Sequence, residues 1–199
     1  MSYNSALILL HRVRFAMTDM QGVKLTGTVE VDETYVGGGE APETKAHTTS
    51  GAVARKTPVV GMVERDGRVH TRVAANVTAK TLKGRIRKVV DYQSKIMTDE
   101  ETSYTGIGAE FAGGHQFVTH SMDQYLNGNV HANTVEGVFS PVKRDMYSLY
   151  HNVSTPHFHR YSSEFDFRWN HRKNDDGDLA IAAVRGAEGK RLRFCAVNF

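Results

Sequence analysis

The sequence predicts an α/β domain in which helices pack on a mixed β-sheet, and two patterns lead to this fold class. Three early segments are rich in β-branched or alternating apolar residues and are bounded by turn residues, which is typical of neighbouring antiparallel strands. Further along the chain, short apolar segments alternate with segments of helical periodicity, which is typical of strands joined by helices.

The first half of the chain holds the predicted strands. Val29, Val31 and Tyr35 alternate along the first strand, and the Asp66-Gly67 turn joins the next two strands as a hairpin. The polar segment 40–56 is predicted to be a loop. In chain order, we predict a helix at 5–20, strands at 28–36, 58–64 and 69–75, a helix at 78–90, a strand at 95–98, a helix at 100–109 and a strand at 116–119.

The second half is predicted to be largely helical. Apolar residues recur at helical spacing in 133–149 and again in 154–172, where the aromatic residues are expected to belong to the core. The segment 173–177 is predicted to be a linker, and 179–199 shows no clear pattern.

Composition excludes several classes of protein. The chain has 199 residues, 40% of them hydrophobic and 24% charged, which is ordinary for a globular domain. Its single cysteine, Cys195, allows neither an internal disulfide framework nor a cysteine-based zinc site. The apolar run at 6–10 is too short to cross a bilayer, so a cytoplasmic protein is expected. The net charge of +3 is compatible with nucleic acid but is weak evidence for it.

Three carboxylates occupy positions from which they can converge. Asp32 lies within the first strand, Asp99 directly follows the strand at 95–98, and Glu136 lies in the first turn of a helix. Crowded carboxylates repel one another unless cations lie between them. Mg²⁺ and Mn²⁺ take such oxygen ligands, and two ions roughly 3.5–4 Å apart can act together on a phosphodiester. The pattern therefore predicts a metal-dependent site for phosphoryl chemistry.

Basic residues near these carboxylates are candidate phosphate contacts. Lys143 lies two helical turns after Glu136 and shares its face, with Arg144 beside it. The predicted loop adds Arg55 and Lys56. The cations at 80–88 are open to two interpretations, a solvated helix face or a patch that follows phosphates.

Simpler interpretations of the same residues remain open. Asp99 also suits the N-cap of a helix, and Asn133 with Glu136 fits a capping box. Asp123 and Glu33 are expected to be solvated. Three histidines lack the spacing of metal ligands and are interpreted as ordinary polar residues: His115, His120 and His131.

The sequence resembles a known family, the transposases of bacterial insertion sequences in the DDE superfamily that have an ISXO-type, integrase-like domain. The resemblance rests on four ordered blocks, VEVDETYVGG at 29–38, IMTDE at 96–100, HANTVEG at 131–137 running on to Lys143 and Arg144, and the aromatic segment 160–170. It implies a ribonuclease-H-like fold and metal-dependent cutting and joining of DNA at transposon ends.

The resemblance also implies roles for single residues and partners. Asp32, Asp99 and Glu136 would be the catalytic metal ligands for two Mg²⁺ or Mn²⁺ ions. Lys143 would contact DNA, and Asn133 and Arg168 are further candidates for that contact. Transposon ends and target DNA would be the partners, bound by a homo-oligomer associated with the nucleoid.

The resemblance divides the chain into three expected regions. We expect an N-terminal helix left from an upstream region at 1–24, the catalytic domain at 25–172 and a C-terminal tail at 173–199.

Pro141 falls inside the helix of Glu136, where proline removes a hydrogen bond and bends the helix. Pro141 favours one alternative to an active transposase, a catalytically dead DNA-binding remnant. A second alternative is a nuclease of the same fold without strand transfer.

Overall fold

The computed structural model describes residues 1–19, 22, 24–36, 56–99, 102–118, 133–150, 153 and 155–192. At positions 99, 102, 118, 133, 149 and 155 the description covers the backbone alone. None of the helices in these ranges is both long and apolar enough to span a membrane.

A five-stranded mixed sheet forms the centre of the fold, with the spatial order β3-β2-β1-β4-β5. The antiparallel pairs β1–β2 and β2–β3 come from early segments, while β4 and β5 add in parallel on the other side of β1. The predicted mixed sheet flanked by helices is therefore confirmed. The strands are β1 (Thr28–Val36), β2 (Thr57–Glu64), β3 (Val69–Val73), β4 (Lys95–Asp99) and β5 (His115–Val118).

Helices cover both faces of the sheet, so that two apolar clusters form the core. Val29 and Val31 of β1 belong to the cluster that includes residues of α2, while Val36 belongs to the cluster that includes residues of α3 and α4. Alternation along a strand explains this division, because successive side chains point to opposite faces. The helices are α1 (Tyr3–Ala16), α2 (Ala79–Val89), α3 (Asn133–Arg144), α4 (Thr155–Asn170) and α5 (Asp176–Arg185).

One secondary-structure prediction was wrong, and one helix was not anticipated. The helix expected at 100–109 is replaced in the described residues by two 3₁₀ turns, Thr102–Tyr104 and Ile107–Glu110, separated by Gly106 with φ 83°. A residue in the left-handed region cannot continue a right-handed helix. The tail expected after 173 contains α5, whose first turn is capped by Asp175 accepting from the Asp178 amide at 2.8 Å.

Pro141 does not interrupt the helix in which it lies. α3 runs through Pro141 to Arg144 and continues as a π-helical segment, Asp145–Leu149. Proline lacks the amide that would bind the carbonyl four residues earlier, so α3 passes through this position with one backbone hydrogen bond fewer. Lys143 therefore stays on the same helix as Glu136, two turns further on.

The free edge of β3 is covered by α4. The Asn170 side chain pairs with both backbone groups of Val69, accepting from its amide at 2.7 Å and donating to its carbonyl at 3.0 Å. One turn earlier in α4, the buried Asp166 carboxylate accepts from the Thr71 amide at 2.9 Å and from Arg72 Nη1 at 2.7 Å. These bonds satisfy strand groups that would otherwise form an open edge.

We expect Asp166 to make the stability of the protein depend on pH. Burial raises the pKa of this carboxyl from 3.8 to about 7, against the opposing effects of Arg72 and Thr71. The folded chain therefore keeps a proton that the unfolded chain has lost, and the free energy of unfolding falls as pH rises from about 4 to about 7. Urea unfolding across this range should show the advantage of wild type over Asp166→Asn shrinking with rising pH. A difference that stays constant would contradict the assignment.

Candidate active site

The site begins with Asp32 at the centre of the sheet. In the register of β1 and β2, Asp32 lies opposite Gly61, and its half-buried carboxylate accepts from the Glu33 amide at 2.7 Å. Directly opposed residues share a face of the sheet, and so do residues two apart on one strand. Glu30 and Gly61 therefore mark the face on which the Asp32 side chain lies.

Glu30 joins this face of β1 to the start of α3. Its side chain is fully buried, and Oε2 accepts from the backbone amides of Thr134 at 2.9 Å and Val135 at 3.1 Å. Oε1 accepts from Arg65 Nε at 2.8 Å and from Thr134 Oγ1 at 3.1 Å. The acceptor for the first turn of α3 is thus provided by the strand that carries Asp32.

Gly61 allows α3 to approach the sheet beside Asp32. A Cβ at Gly61 would lie 2.7 Å from Cε1 and 2.8 Å from Cζ of Phe139, and 3.3 Å from Val135 Cγ2. Real Cβ atoms do not approach other atoms this closely, so the contact requires glycine. The helix that carries Glu136 therefore packs on β2 at Gly61, the residue that lies opposite Asp32.

Replacing Gly61 with Ala is expected to lower the free energy of unfolding by about 1–3 kcal/mol, because the added methyl overpacks the ring of Phe139. The double variant Gly61→Ala with Phe139→Leu removes the two closest atoms and should recover part of the loss. Denaturant unfolding of both variants measures the effect. Equal stability of wild type and Gly61→Ala would show that α3 adjusts at no cost.

Glu136 directly follows Thr134 and Val135, whose backbone amides donate to Glu30. It is exposed in the first turn of α3, and the exposed face continues through Ser140 to Lys143 and Arg144. Val135, Val138 and Val142 are buried on the opposite side. The predicted shared face of Glu136 and Lys143 is confirmed by this division of α3 into a buried and an exposed side.

Asp99 is placed by the backbone register alone. In the parallel pair of β1 and β4, Glu30 lies opposite Met97. Asp32 and Asp99 each follow two residues later, so they occupy corresponding positions along neighbouring strands. Within the side chains that the structure describes, no three His, Cys, Asp or Glu residues form a group able to hold a metal ion. The Asp99 side chain lies outside that set, so the predicted triad stays a prediction.

Glu33 was expected to be solvated, and this prediction was wrong. The buried Tyr104 hydroxyl donates a hydrogen bond to Glu33 Oε1. Because Glu33 follows Asp32 directly, it faces the opposite side of the sheet, towards the apolar cluster of Tyr104. This bond ties the turn that follows β4 to β1. Of the two adjacent acids, only Asp32 lies on the side covered by α3.

His115 is the one candidate histidine within the described ranges. Its Nε2 lies 2.9 Å from Thr98 Oγ1, across the pairing of β5 with β4, and burial lowers the pKa of the ring. This supports its interpretation as an ordinary polar residue. His120, His131 and Asp123 lie outside the described residues.

The candidate DNA contacts are distributed over three elements. Lys143 and Arg144 are exposed on α3, and Lys56 is exposed just before β2, at the edge where β1 ends. Arg168 on α4 donates to Glu164 Oε1 at 2.6 Å while its side chain stays 60% exposed. Arg55 and the Asn133 side chain lie outside the described part of the chain, so both remain predictions.

Three of the cations of α2 contact neighbouring segments of the domain. Lys83 donates to the Thr105 carbonyl at 2.5 Å, and Arg85 donates to the Val73 carbonyl at 2.6 Å. Arg87 pairs with Glu110 through two bonds, at 2.5 and 2.7 Å. These side chains hold α2 against its neighbours within the domain, and both interpretations of the cations at 80–88 stay predictions.

Sequence reasoning missed Glu30, Gly61 and Tyr104. A glycine inside a valine-rich strand is a signal of close backbone approach, so Gly61 could have been found. An acid two residues before Asp32 was a weaker signal for Glu30. Nothing local in the sequence pointed to the pairing of Tyr104 with Glu33.

Comparison with known proteins gives low similarity to solved structures. No curated protein matches the sequence significantly. The catalytic core domain of BIV integrase is 14% identical with a TM-score of 0.48, over 75% of this chain and 86% of that chain. The Mos1 strand transfer complex is 15% identical with a TM-score of 0.44, over 94% of this chain. This chain spans 61% of the Mos1 chain in that complex and 62% in a pre-cleavage Mos1 transpososome.

The family assignment comes from a sequence family whose model describes an ISXO2-like transposase domain. That model matches residues 24–170, well over half of the chain. The four blocks of resemblance all lie inside this range, and the strand order β3-β2-β1-β4-β5 agrees with the ribonuclease-H-like fold that they implied. The chain therefore belongs to the family of ISXO2-like transposase domains.

Proposed function

We propose that this protein is a DDE-type transposase that cuts DNA at the ends of an insertion sequence and joins the freed ends to target DNA. The bridge from Glu30 to the first turn of α3 carries the proposal. Through it, the helix of Glu136 lies on the strand face of Asp32, while β4 brings Asp99 to the corresponding position on the next strand. These relations support a common site for the three carboxylates.

The donor set of this site fits Mg²⁺ or Mn²⁺. Asp32 is half-buried and Glu136 is exposed, and both offer carboxylate oxygens, the ligand that these cations prefer. Asp32, Asp99 and Glu136 would hold the ions. When bound, two divalent ions lower the pKa of an attacking oxygen and stabilise the charge on a leaving oxygen.

The reaction proceeds as two displacements at phosphorus. Water attacks a phosphodiester at the transposon end, the P–O3′ bond breaks, and a free 3′-hydroxyl and a 5′-phosphate result. The 3′-hydroxyl then attacks a phosphodiester of the target, forms a new P–O3′ bond and releases the 3′-hydroxyl of the target strand. Asp32, Asp99 and Glu136 would act by holding the ions and the exposed cations by holding the DNA backbone, so that the reacting groups lie in line.

The exposed cations would bind the DNA backbone beside this site. Lys143 and Arg144 share the exposed side of α3 with Glu136, so a phosphate held there lies along the helix that carries the acid. Lys56, Arg55, Asn133 and Arg168 are the further proposed contacts. A homo-oligomer holding paired ends in the bacterial cytoplasm, on the nucleoid, completes the proposal. Sedimentation with transposon-end DNA tests its size.

Nicking of supercoiled plasmid in Mg²⁺ or Mn²⁺ is the first experiment, with wild type, Asp99→Asn and the matched surface variant Asp176→Asn. Activity that needs the metal and Asp99 but tolerates Asp176→Asn supports the metal centre. Joining of a labelled 3′ end to a second DNA then separates a transposase from a nuclease of the same fold. Binding of DNA without metal-dependent nicking by the wild type would overturn the proposal in favour of a DNA-binding remnant.

A further inference from the structure

Glu30 occupies a place usually taken by a helix N-cap residue. The first amides of a helix lack partners within it and carry partial positive charge, so they favour a nearby anion. The acceptor usually comes from the residue that precedes the helix. Here it comes from a strand 104 residues earlier than Thr134, and the side chain that supplies it is fully buried.

We propose that Glu30 is a positioning residue of the metal centre, which sets the location of Glu136 relative to Asp32; this rests on the proposed function. Asp32 follows Glu30 by two residues on β1, and Glu136 directly follows Val135, whose amide Glu30 binds at 3.1 Å. Both proposed ligands are therefore connected to the same carboxylate by short stretches of backbone. A shift of α3 along β1 would break these bonds and separate the ligands.

The chemistry of this position requires a carboxylate. Glu30 accepts hydrogen bonds from two backbone amides, a hydroxyl and the Arg65 guanidinium. Arg65 compensates the buried charge, and its side chain remains 21% exposed. A glutamine keeps one accepting oxygen, but its amide nitrogen is a donor and would face either the helix amides or the guanidinium. Glu30→Gln therefore loosens the bridge with little change in volume.

The protein contains a natural control for a purely structural role. Asp166 is also a buried carboxylate that accepts a backbone amide, that of Thr71, and pairs with an arginine, Arg72. It joins α4 to β3, which β2 separates from β1, and its hydrogen bonds to Thr71 and Arg72 involve neither β1 nor α3. Loss of Asp166 should reduce stability without moving the proposed ligands.

The test uses the full chain as wild type, Glu30→Gln, Asp166→Asn and Asp32→Asn. Mn²⁺ affinity is measured by the electron paramagnetic resonance of free Mn²⁺, and exchange of the Thr134 and Val135 amides is measured by NMR without metal. We expect Glu30→Gln to weaken Mn²⁺ binding by roughly 10-fold or more and to speed exchange of both amides. Asp166→Asn should lower the thermal midpoint and leave Mn²⁺ affinity and both amides unchanged.

Two results would overturn the proposal. One is a Mn²⁺ affinity of Glu30→Gln that equals that of wild type. The other is a loss of Mn²⁺ affinity in Asp166→Asn as large as that in Glu30→Gln, which would show that Glu30 only stabilises the fold. If Glu30→Gln does not fold, Thr134→Val removes only the hydroxyl bond at 3.1 Å and should give a smaller loss in the same direction. If wild type binds no more Mn²⁺ than Asp32→Asn does, the proposed metal centre itself is wrong.

Discussion

Replacing Asp32 with Asn is expected to lower metal-dependent nicking by roughly three orders of magnitude. The variant keeps the size of the side chain but removes the charge that would hold a divalent ion beside the phosphodiester. Metal ions contribute several kcal/mol of transition-state stabilisation, and about 4 kcal/mol corresponds to a factor of roughly 10³ in rate. Single-turnover nicking at saturating Mg²⁺, followed over time on plasmid DNA, measures the effect.

Glu33→Gln is the matched control for this experiment, because it makes the same chemical change one residue further along β1. Glu33 lies on the opposite face of the sheet, where a glutamine oxygen still accepts the Tyr104 hydroxyl. We expect Glu33→Gln to keep most of its nicking activity. An active Asp32→Asn would contradict the assignment of Asp32 to the site. Loss of activity in both variants would contradict the argument from the two faces of the strand.

Replacing Glu164 with Ala is expected to lower the free energy of unfolding by about 3–5 kcal/mol. Glu164 Oε2 accepts from Arg14 Nε at 2.7 Å, and both side chains are only 9% exposed. Arg14 also lies over the Tyr161 ring, 4.1 Å from its centroid. Removing the carboxylate leaves a guanidinium buried without its counter-ion, and such a loss is far more costly than the pair is stabilising. Chemical unfolding followed by circular dichroism measures the difference.

The double variant Arg14→Met with Glu164→Leu distinguishes a buried charge from lost packing. Apolar residues of similar volume remove both charges together, and such replacements are often neutral or stabilising. We expect the double variant to be clearly more stable than Glu164→Ala. A double variant as unstable as Glu164→Ala would show that the contact between α1 and α4 depends on shape more than on charge.

The predictions that were confirmed depended on residues that are close together in the sequence. Alternation of Val29 and Val31 predicted β1 to the residue, and helical spacing after Asn133 predicted the buried and exposed sides of α3. Ordered blocks around Asp32, Asp99 and Glu136 identified the family. Predictions failed where one residue changed the backbone locally, as Gly106 does in the segment after β4.

The sequence by itself determined the strands and most helices, the order of the three acids and the family, because periodicity and motif spacing are properties of neighbouring residues. Only the tertiary structure decided how these elements meet. Glu30 with Thr134, Gly61 with Phe139, and Glu33 with Tyr104 are each separated by more than 70 residues. A strand pattern states which side chains share a face, but it does not state which distant residue covers that face. That choice depends on strand register and on the close packing of α3 against the sheet, which the whole chain determines together.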